Sequence, residues 1–123
     1  MKKVFIDTNV VMAIMELKID PFAQLPEVLD FPFRVYILEG SVKELEQLQQ
    51  HQKGKFRRAA KLGLRILQAK KISIIKEEGM VDDLLARHSQ RGDVILTQDR
   101  ELKRRLTKPY LTIRQKKRII MVK

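Results

Sequence analysis

Short apolar strand patterns alternate with helical patterns along nearly the whole chain. Strands separated by helices need crossover connections, and right-handed crossovers produce a parallel sheet covered by helices on both faces. A chain of 123 residues is long enough for one such core but not for two. We therefore predict a single domain, residues 1–123, folded as a three-layer α/β/α sandwich around a central, mainly parallel five-stranded sheet.

The boundaries of these elements follow from the spacing of apolar residues. Strands are predicted at residues 3–6, 34–38, 72–75, 93–97 and 110–113, with 119–122 as a further candidate. Helices are predicted at residues 9–17, from 41 onwards, and at 55–70, 81–91 and 100–106. Residues 19–33 hold three of the four prolines, so we expect a connection there with at most a short helix at 22–29.

The composition indicates the kind of partner but not an activity. The chain has 26 Lys and Arg against 15 Asp and Glu, a formal net charge of +11, which favours a polyanion such as RNA, although a ribosome-associated or membrane-surface protein could carry the same excess. It has no cysteine, which excludes disulfides and thiolate-bound zinc and is typical of a cytoplasmic protein. The sequence contains no run that predicts a membrane span or a signal peptide.

Acidic residues stand where predicted strands turn into helices. In a parallel sheet these junctions open on one edge, so the acids there can converge: Asp7, Glu44, Asp82 with Asp83, and Asp99. Each alone is also explained as a helix cap or a first-turn residue, and Ser41 with Glu44 fits a capping box. Four carboxylates on one edge would repel one another unless a cation lay among them. Mg²⁺ or Mn²⁺, as one ion or two, prefers such oxygen ligands and can promote displacement at a phosphodiester.

Four segments together resemble the PIN domain, a nuclease family that includes toxins of the VapC type and eukaryotic RNA-processing factors. They are "VFIDTNVVM" at residues 4–12, "GSVKELEQL" at 40–48, "VDDLLA" at 81–86 and "DVILTQDRELKRRL" at 93–106, and the first and last are the more specific. The ending "TIRQKKRII" at 112–120 is similar to that of archaeal members related to the eukaryotic endonuclease of small-subunit rRNA maturation.

The resemblance implies a Mg²⁺- or Mn²⁺-dependent endoribonuclease that hydrolyses RNA, in rRNA processing or as a toxin. It implies that the catalytic and metal-binding acids are Asp7, Glu44, Asp82 and Asp99. Asn9 and Thr97 would orient these carboxylates by hydrogen bonding, with Asp83 in a supporting position. The family often has a small or amide residue such as Asn where this chain has Gln98. Family members commonly form homodimers, and the partners expected besides RNA are an antitoxin or a ribosome-biogenesis factor.

The register of the helix at 81–91 distinguishes the two adjacent acids. Leu85 and Ala86 follow Asp82 at three and four positions and would share its inward side, whereas successive residues point about 100° apart. We therefore predict that Asp82 faces the metal and that Asp83 projects away from it.

Basic residues recur in two places where RNA could bind. Arg57, Lys61 and Arg65 line one helical face with no acid nearby, and Arg100 and Arg104 flank Asp99. A solvated helix face is the plain alternative for any one of them. We place His51 and His88 on helix surfaces and assign them no role. The aromatic residues, Phe56 among them, occupy core-like positions, so the sequence does not support base stacking.

Two other functions remain as competitors. A non-catalytic RNA-binding module of the same fold, associated with ribosome biogenesis, would share the basic surface, but the presence of all four acids argues against it. A phosphotransfer enzyme with Asp7 as acceptor ranks low, because a haloacid-dehalogenase-like phosphatase would have a second Asp at position 9, where this chain has Asn9.

Overall fold

The computed structural model describes residues 1–123 and contains six strands and six helices. The strands are β1 (Lys2–Ile6), β2 (Phe33–Leu38), β3 (Ser73–Ile75), β4 (Val94–Leu96), β5 (Tyr110–Arg114) and β6 (Arg118–Val122). The helices are α1 (Thr8–Leu17), α2 (Pro21–Val28), α3 (Glu39–His51), α4 (Gly54–Ala69), α5 (Val81–Gln90) and α6 (Arg100–Arg105). None of these helices is long and apolar enough to cross a membrane.

All six strands form one sheet in the order β3-β2-β1-β4-β5-β6. The first five are parallel and β6 runs antiparallel to β5. The α/β architecture is as predicted, but the expected count of five strands is wrong, because residues 118–122 pair with β5 as a hairpin. The hairpin turn places both Gln115 and Lys116 at positive φ, 53° and 56°, as a type I′ turn requires. Neither residue is Asn or Gly, so the usual sequence signal of this turn is missing.

Alternate residues of the central strand β1 enter two separate cores. Val4 and Ile6 face a cluster formed with residues of α1 to α4, while Phe5 packs on the opposite face with residues of α5 and α6. All three side chains are fully buried. The period-two alternation of strand side chains therefore produces the helix–sheet–helix layers.

The close approach of α1 and α4 depends on a glycine. A Cβ on Gly63 would lie 2.4 Å from Cγ1 of Val11, so no larger residue fits without movement. Gly40 has a similar position at the start of α3, where a Cβ would lie 2.8 Å from Cγ2 of Val81 in α5. These two contacts determine the distance between α1 and α4 and the distance between α3 and α5.

Helix α3 begins two residues earlier than predicted and has no side-chain cap. Leu38 is the residue that precedes it, and Glu39 and Gly40 already belong to the helix. The predicted capping box of Ser41 and Glu44 is therefore wrong: Ser41 is fully buried within the first turn and its hydroxyl makes no hydrogen bond. Helix α3 follows strand β2 directly, so Glu44 does not cap the helix.

Candidate functional site

Asp7 lies at the carboxyl end of β1 and caps α1 at the same time. Its Oδ1 accepts a 2.8 Å hydrogen bond from the Thr8 amide, and its Oδ2 accepts a 2.7 Å hydrogen bond from the Thr97 hydroxyl. The residue is only 5% exposed. The two explanations of this acid, cap and site residue, are therefore compatible, because the capped carboxylate still lines a cleft.

Thr97 and Asn9 join the ends of the two central strands. The Thr97 hydroxyl donates to Asp7 and accepts a 3.1 Å hydrogen bond from the Asp99 amide, and it lies 3.5 Å from the Asn9 amide nitrogen. Asn9 in turn accepts a 3.2 Å bond from the Gln98 amide. The Gln98 side chain donates to the Asn9 carbonyl at 3.5 Å, so the residue that departs from the family pattern takes part in the same network.

Asp99 caps α6 with one carboxylate oxygen and leaves the other without a hydrogen bond. Its Oδ1 accepts from the amides of Glu101 and Leu102 at 2.8 and 3.2 Å. Like Asp7, it stands where a strand ends and a helix begins, and its side chain lines the same cleft.

Glu44 and Asp82 reach that cleft from helices α3 and α5. The close approach of Gly40 and Val81 holds the first turns of these helices together, and each acid follows within four residues. The cleft has a volume of 620 Å³, and all four predicted acids line it: Asp7, Glu44, Asp82 and Asp99. Residues far apart in sequence thus meet at the carboxyl edge of the sheet.

Burial raises the pKa of three of the four acids, and repulsion from neighbouring carboxylates adds to this effect. Burial raises the pKa of Asp7, against the opposing hydrogen bonds from Thr97 and Thr8, and the charges of Asp82 and Asp99 raise it further. Burial likewise raises the pKa of Glu44, with added repulsion from Asp7 and Asp82, while the nearby Thr8 hydroxyl lowers it. For Asp82, burial and the charge of Asp99 raise the pKa, while Arg105 opposes them.

The donor set suits a hard divalent cation held partly through water. No three His, Asp or Glu side chains lie close enough together to bind one ion directly. Mg²⁺ typically keeps several waters and uses one or two carboxylates, so the wider spacing fits this mode of binding.

Thr8 supplies a further oxygen that sequence reasoning missed. Its hydroxyl is buried, belongs to a residue that lines the cleft and forms no hydrogen bond of ordinary geometry, although it lies near enough to Glu44 to lower the pKa of that acid. A buried polar atom without a hydrogen-bond partner calls for water or an ion at that position. The Thr8 hydroxyl therefore joins the four acids as a candidate oxygen donor.

Asp83 lies outside the cleft and is engaged elsewhere. Its carboxylate accepts a 2.7 Å hydrogen bond from the Arg105 guanidinium, which ties α5 to α6. Only Asp82 of the adjacent pair lines the cleft.

The basic residues of α4 are exposed and have no acidic partner. Six Lys and Arg and no Asp or Glu stand between residues 53 and 65, and none of the six takes part in an ion pair. The three predicted RNA-binding residues of this helix, Arg57, Lys61 and Arg65, belong to that set. Arg100 is also exposed and unpaired, whereas Arg104 forms a 3.0 Å ion pair with Glu101.

His88 is buried, so its placement on an exposed helix surface is wrong. Its Nδ1 lies 2.9 Å from an Asp93 oxygen, and its Nε2 is hydrogen-bonded to Glu77. The ring also stacks on Phe5, with centroids 4.1 Å apart. Because Glu77 and Asp93 flank helix α5 in sequence, no local pattern could reveal this cluster.

The acidic cleft lies at the carboxyl ends of the parallel strands. This arrangement defines a class of α/β proteins whose sites are assembled from strand–helix junctions. The chain belongs to the PIN-like domain family, whose model matches residues 4–116. It is 34% identical over 102 residues to ribonuclease VapC9 of Archaeoglobus fulgidus, a match that covers 81% of this chain and 72% of the relative.

A solved structure shares the fold. The structure of the PIN domain endonuclease Utp24 superposes with a TM-score of 0.75 and 24% sequence identity, covering 97% of this chain and 90% of that one.

Proposed function

We propose that this protein is an endoribonuclease that hydrolyses RNA phosphodiester bonds with the help of Mg²⁺ or Mn²⁺, and that residues 1–123 act as one domain. The observation that carries the proposal is the convergence of Asp7, Glu44, Asp82 and Asp99 in one cleft. Membership of the PIN-like family and the ribonuclease relative support it.

In this mechanism Asp7, Glu44, Asp82 and Asp99 would hold one or two cations, and the hydrogen-bond network fixes the orientation of these carboxylates. A divalent ion bound there would supply water activation and charge neutralisation at the phosphate. Thr97 and the Thr8 amide hold the Asp7 carboxylate in place, and Asp99 keeps one oxygen free of hydrogen bonds. The pKa values of Asp7 and Asp82 are raised by burial and by repulsion from neighbouring acids, and a cation would relieve that repulsion.

The exposed cations of α4 and α6 complement this centre. Arg57, Lys61 and Arg65 on α4, with Arg100 beside Asp99 and Arg104 on the same helix, would bind the phosphates on either side of the scissile bond. In this proposal the carboxylates would hold the ion, and the Lys and Arg side chains would hold the polyanion.

The relative's name bears on the biological setting. Similarity to a ribonuclease of the VapC type favours RNA cleavage as a toxin with an antitoxin partner, while the structural neighbour below 25% identity speaks for the fold alone. We infer the toxin setting ahead of rRNA maturation, and a homodimer as the form in which the chain acts.

The direct test is cleavage of a 5′-labelled RNA by wild type and by Asp7→Asn and Asp99→Asn, purified in parallel. We expect cleavage that needs Mn²⁺ or Mg²⁺, stops with EDTA and falls at least about 100-fold in both variants, more than the loss of a supporting hydrogen bond. Circular dichroism checks that both variants are folded. Equal cleavage by Asp7→Asn and wild type would refute the metal-site assignment, and RNA binding without any cleavage would favour the non-catalytic module.

A further inference from the structure

Two large apolar side chains are exposed at the acidic cleft. Phe56 is 51% exposed and Met80 is 73% exposed, and both line the cleft beside the four acids. Only five large hydrophobic residues of the chain are exposed at all, so two of the five stand at one site. Exposed apolar surface concentrated at one place usually marks a binding surface. The prediction that Phe56 belongs to the core is thus wrong.

The cleft continues into a second hollow beside Phe56. This hollow has a volume of 350 Å³ and lies between α1 and α4, and Met12, Glu16 and Phe56 line both it and the acidic cleft. Its size lies in the range of roughly 300–1,000 Å³ that small-molecule sites occupy. A ligand can therefore reach from the acids to the Phe56 ring without leaving the surface of the protein.

The charges around this hollow indicate what kind of ligand fits it. The Lys55 amine lies 5.4 Å from the centre of the Phe56 ring, and no acid stands between residues 53 and 75. Glu16 is the only acid that lines the hollow, and its carboxylate can accept a hydrogen bond from an amino group such as that of adenine. The required ligand combines a flat apolar group with a phosphate close by, and a nucleotide has both. An apolar peptide would leave the unpaired cations of α4 without partners.

We propose that Phe56 and the hollow beside it form a nucleobase subsite, in which an unpaired base of single-stranded RNA stacks on the Phe56 ring while the adjoining phosphate lies among the acids. This inference rests on the proposed function and adds one subsite, with Phe56 as the residue that contacts the base. Stacking on an aromatic side chain needs a base that is free of its pairing partner, so the test uses single-stranded RNA.

The first test measures binding without cleavage. With Mn²⁺ present and nuclease-resistant phosphorothioate linkages in a labelled oligoadenylate, fluorescence anisotropy gives the affinity of this RNA for wild type, Phe56→Leu, Phe56→Trp and Ile74→Ala. We expect Phe56→Leu to weaken binding about tenfold, since it keeps apolar bulk but removes the ring, and Phe56→Trp to retain it. Ile74 is the matched control, because it is also 51% exposed but lies on β3 outside the cleft. Unchanged affinity of Phe56→Leu, or no binding of RNA by wild type, would overturn the proposal.

The second test locates the stacked base. A single abasic residue is moved along a short RNA, and we expect one position next to the cleaved bond to weaken binding as much as Phe56→Leu does. At that position the variant should weaken binding no further, because the same stacking interaction has already been removed from the RNA side. Independent, additive effects would contradict stacking. If Phe56→Leu instead shifts a monomer–dimer equilibrium in light scattering and leaves RNA affinity unchanged, the surface joins two copies of the chain and the subsite is refuted.

The outcomes separate this proposal from the proposed function. If metal-dependent cleavage occurs and replacing Phe56 has no effect on it, the nuclease function is supported and the subsite is refuted. If the wild type binds RNA without cleaving it and Phe56→Leu weakens that binding, the subsite is supported and the nuclease function is refuted.

Discussion

The hydroxyl of Thr97 donates a 2.7 Å hydrogen bond to the carboxylate of Asp7, although 90 residues separate them in sequence. The same oxygen accepts from the Asp99 amide, so one hydroxyl fixes acids at the ends of two neighbouring strands. Thr97 is fully buried, which keeps water from replacing either bond.

Replacing Thr97 by valine tests this arrangement, because the shape is retained and only the hydroxyl is removed. We expect a decrease of about 1–3 kcal/mol in the free energy of unfolding, since the Asp7 oxygen and the Asp99 amide are left without a partner. Metal affinity and cleavage should fall about 10–100-fold. Thr97→Ser keeps the hydroxyl and is the control; if its activity falls as far as that of the valine variant, the hydroxyl alone does not account for the role of Thr97.

Asp82 and Asp83 offer a matched pair, since either change to Asn removes one negative charge. Burial and the Asp99 charge raise the pKa of Asp82 above its ordinary value of 3.8. A raised pKa means that the folded state holds its proton more tightly, so stability falls as pH rises from the ordinary pKa to the raised pKa, and the loss stays complete at higher pH. In EDTA at pH 7, Asp82→Asn should therefore raise the melting temperature, and the gain should vanish below about pH 4.

Asp83→Asn should behave in the opposite way. It breaks the ion pair with Arg105, which is half-exposed and worth little, so we expect a small decrease in melting temperature and near-normal Mn²⁺ binding by calorimetry. An inactive Asp83→Asn with an active Asp82→Asn would show that the assignment of the two acids is reversed.

Proton competition should make metal binding depend on pH. The raised pKa values of Asp7, Glu44 and Asp82 mean that these carboxylates begin to take up protons at a higher pH than ordinary acids do. We expect the apparent Mn²⁺ affinity to weaken as pH falls from neutrality towards the ordinary carboxyl range of about 4, and the weakening to begin at a higher pH than for unperturbed carboxylates. Proton release on binding can be measured by calorimetry in buffers of different ionisation enthalpy. An affinity independent of pH down to about pH 4 would mean that these acids do not bind the ion.

The basic face of α4 can be tested by the salt dependence of RNA binding. Replacing Arg57, Lys61 and Arg65 by glutamine should flatten the log–log slope by roughly 0.7 for each single-strand phosphate that the variant no longer neutralises. A triple change at Lys116, Lys117 and Arg118 in the β5–β6 hairpin removes the same charge elsewhere. Equal effects of the two triple variants would indicate that the net positive charge of the protein attracts RNA, rather than that α4 binds its phosphates locally.

The buried His88 makes a prediction about stability alone. Replacing it by phenylalanine keeps a ring against Phe5 but leaves the Glu77 and Asp93 carboxylates without their hydrogen bonds. We expect about 1–3 kcal/mol lower free energy of unfolding in urea denaturation. Adding Glu77→Gln to His88→Phe should restore part of that stability, since one unpaired charge is then removed; no recovery would show that the cost lies in packing.

The sequence predicted a structural feature wherever the residues that determine it lie close together in the chain. Apolar periodicity located every strand and helix approximately, and strand–helix junctions indicated which acids meet. It was weaker where the cause was a distant contact. Residues 118–122 become a strand only through pairing with β5, and His88 is buried only because Glu77 and Asp93 fold back on it. Phe56 fits the apolar side of a helix by spacing, yet it lies in the first turn of α4, where the helix extends past the core into the cleft.

The central place of β1 has a consequence for how the protein is made. Its neighbour β4 begins 90 residues after Val4, so a growing chain carries Asp7 long before Thr97 exists. At a synthesis rate of about 5–20 residues per second, the interval between these two residues lasts roughly 5–20 s. Throughout that time Asp7 lacks the hydroxyl that holds its carboxylate. The cleft can therefore be completed only after most of the chain has been translated.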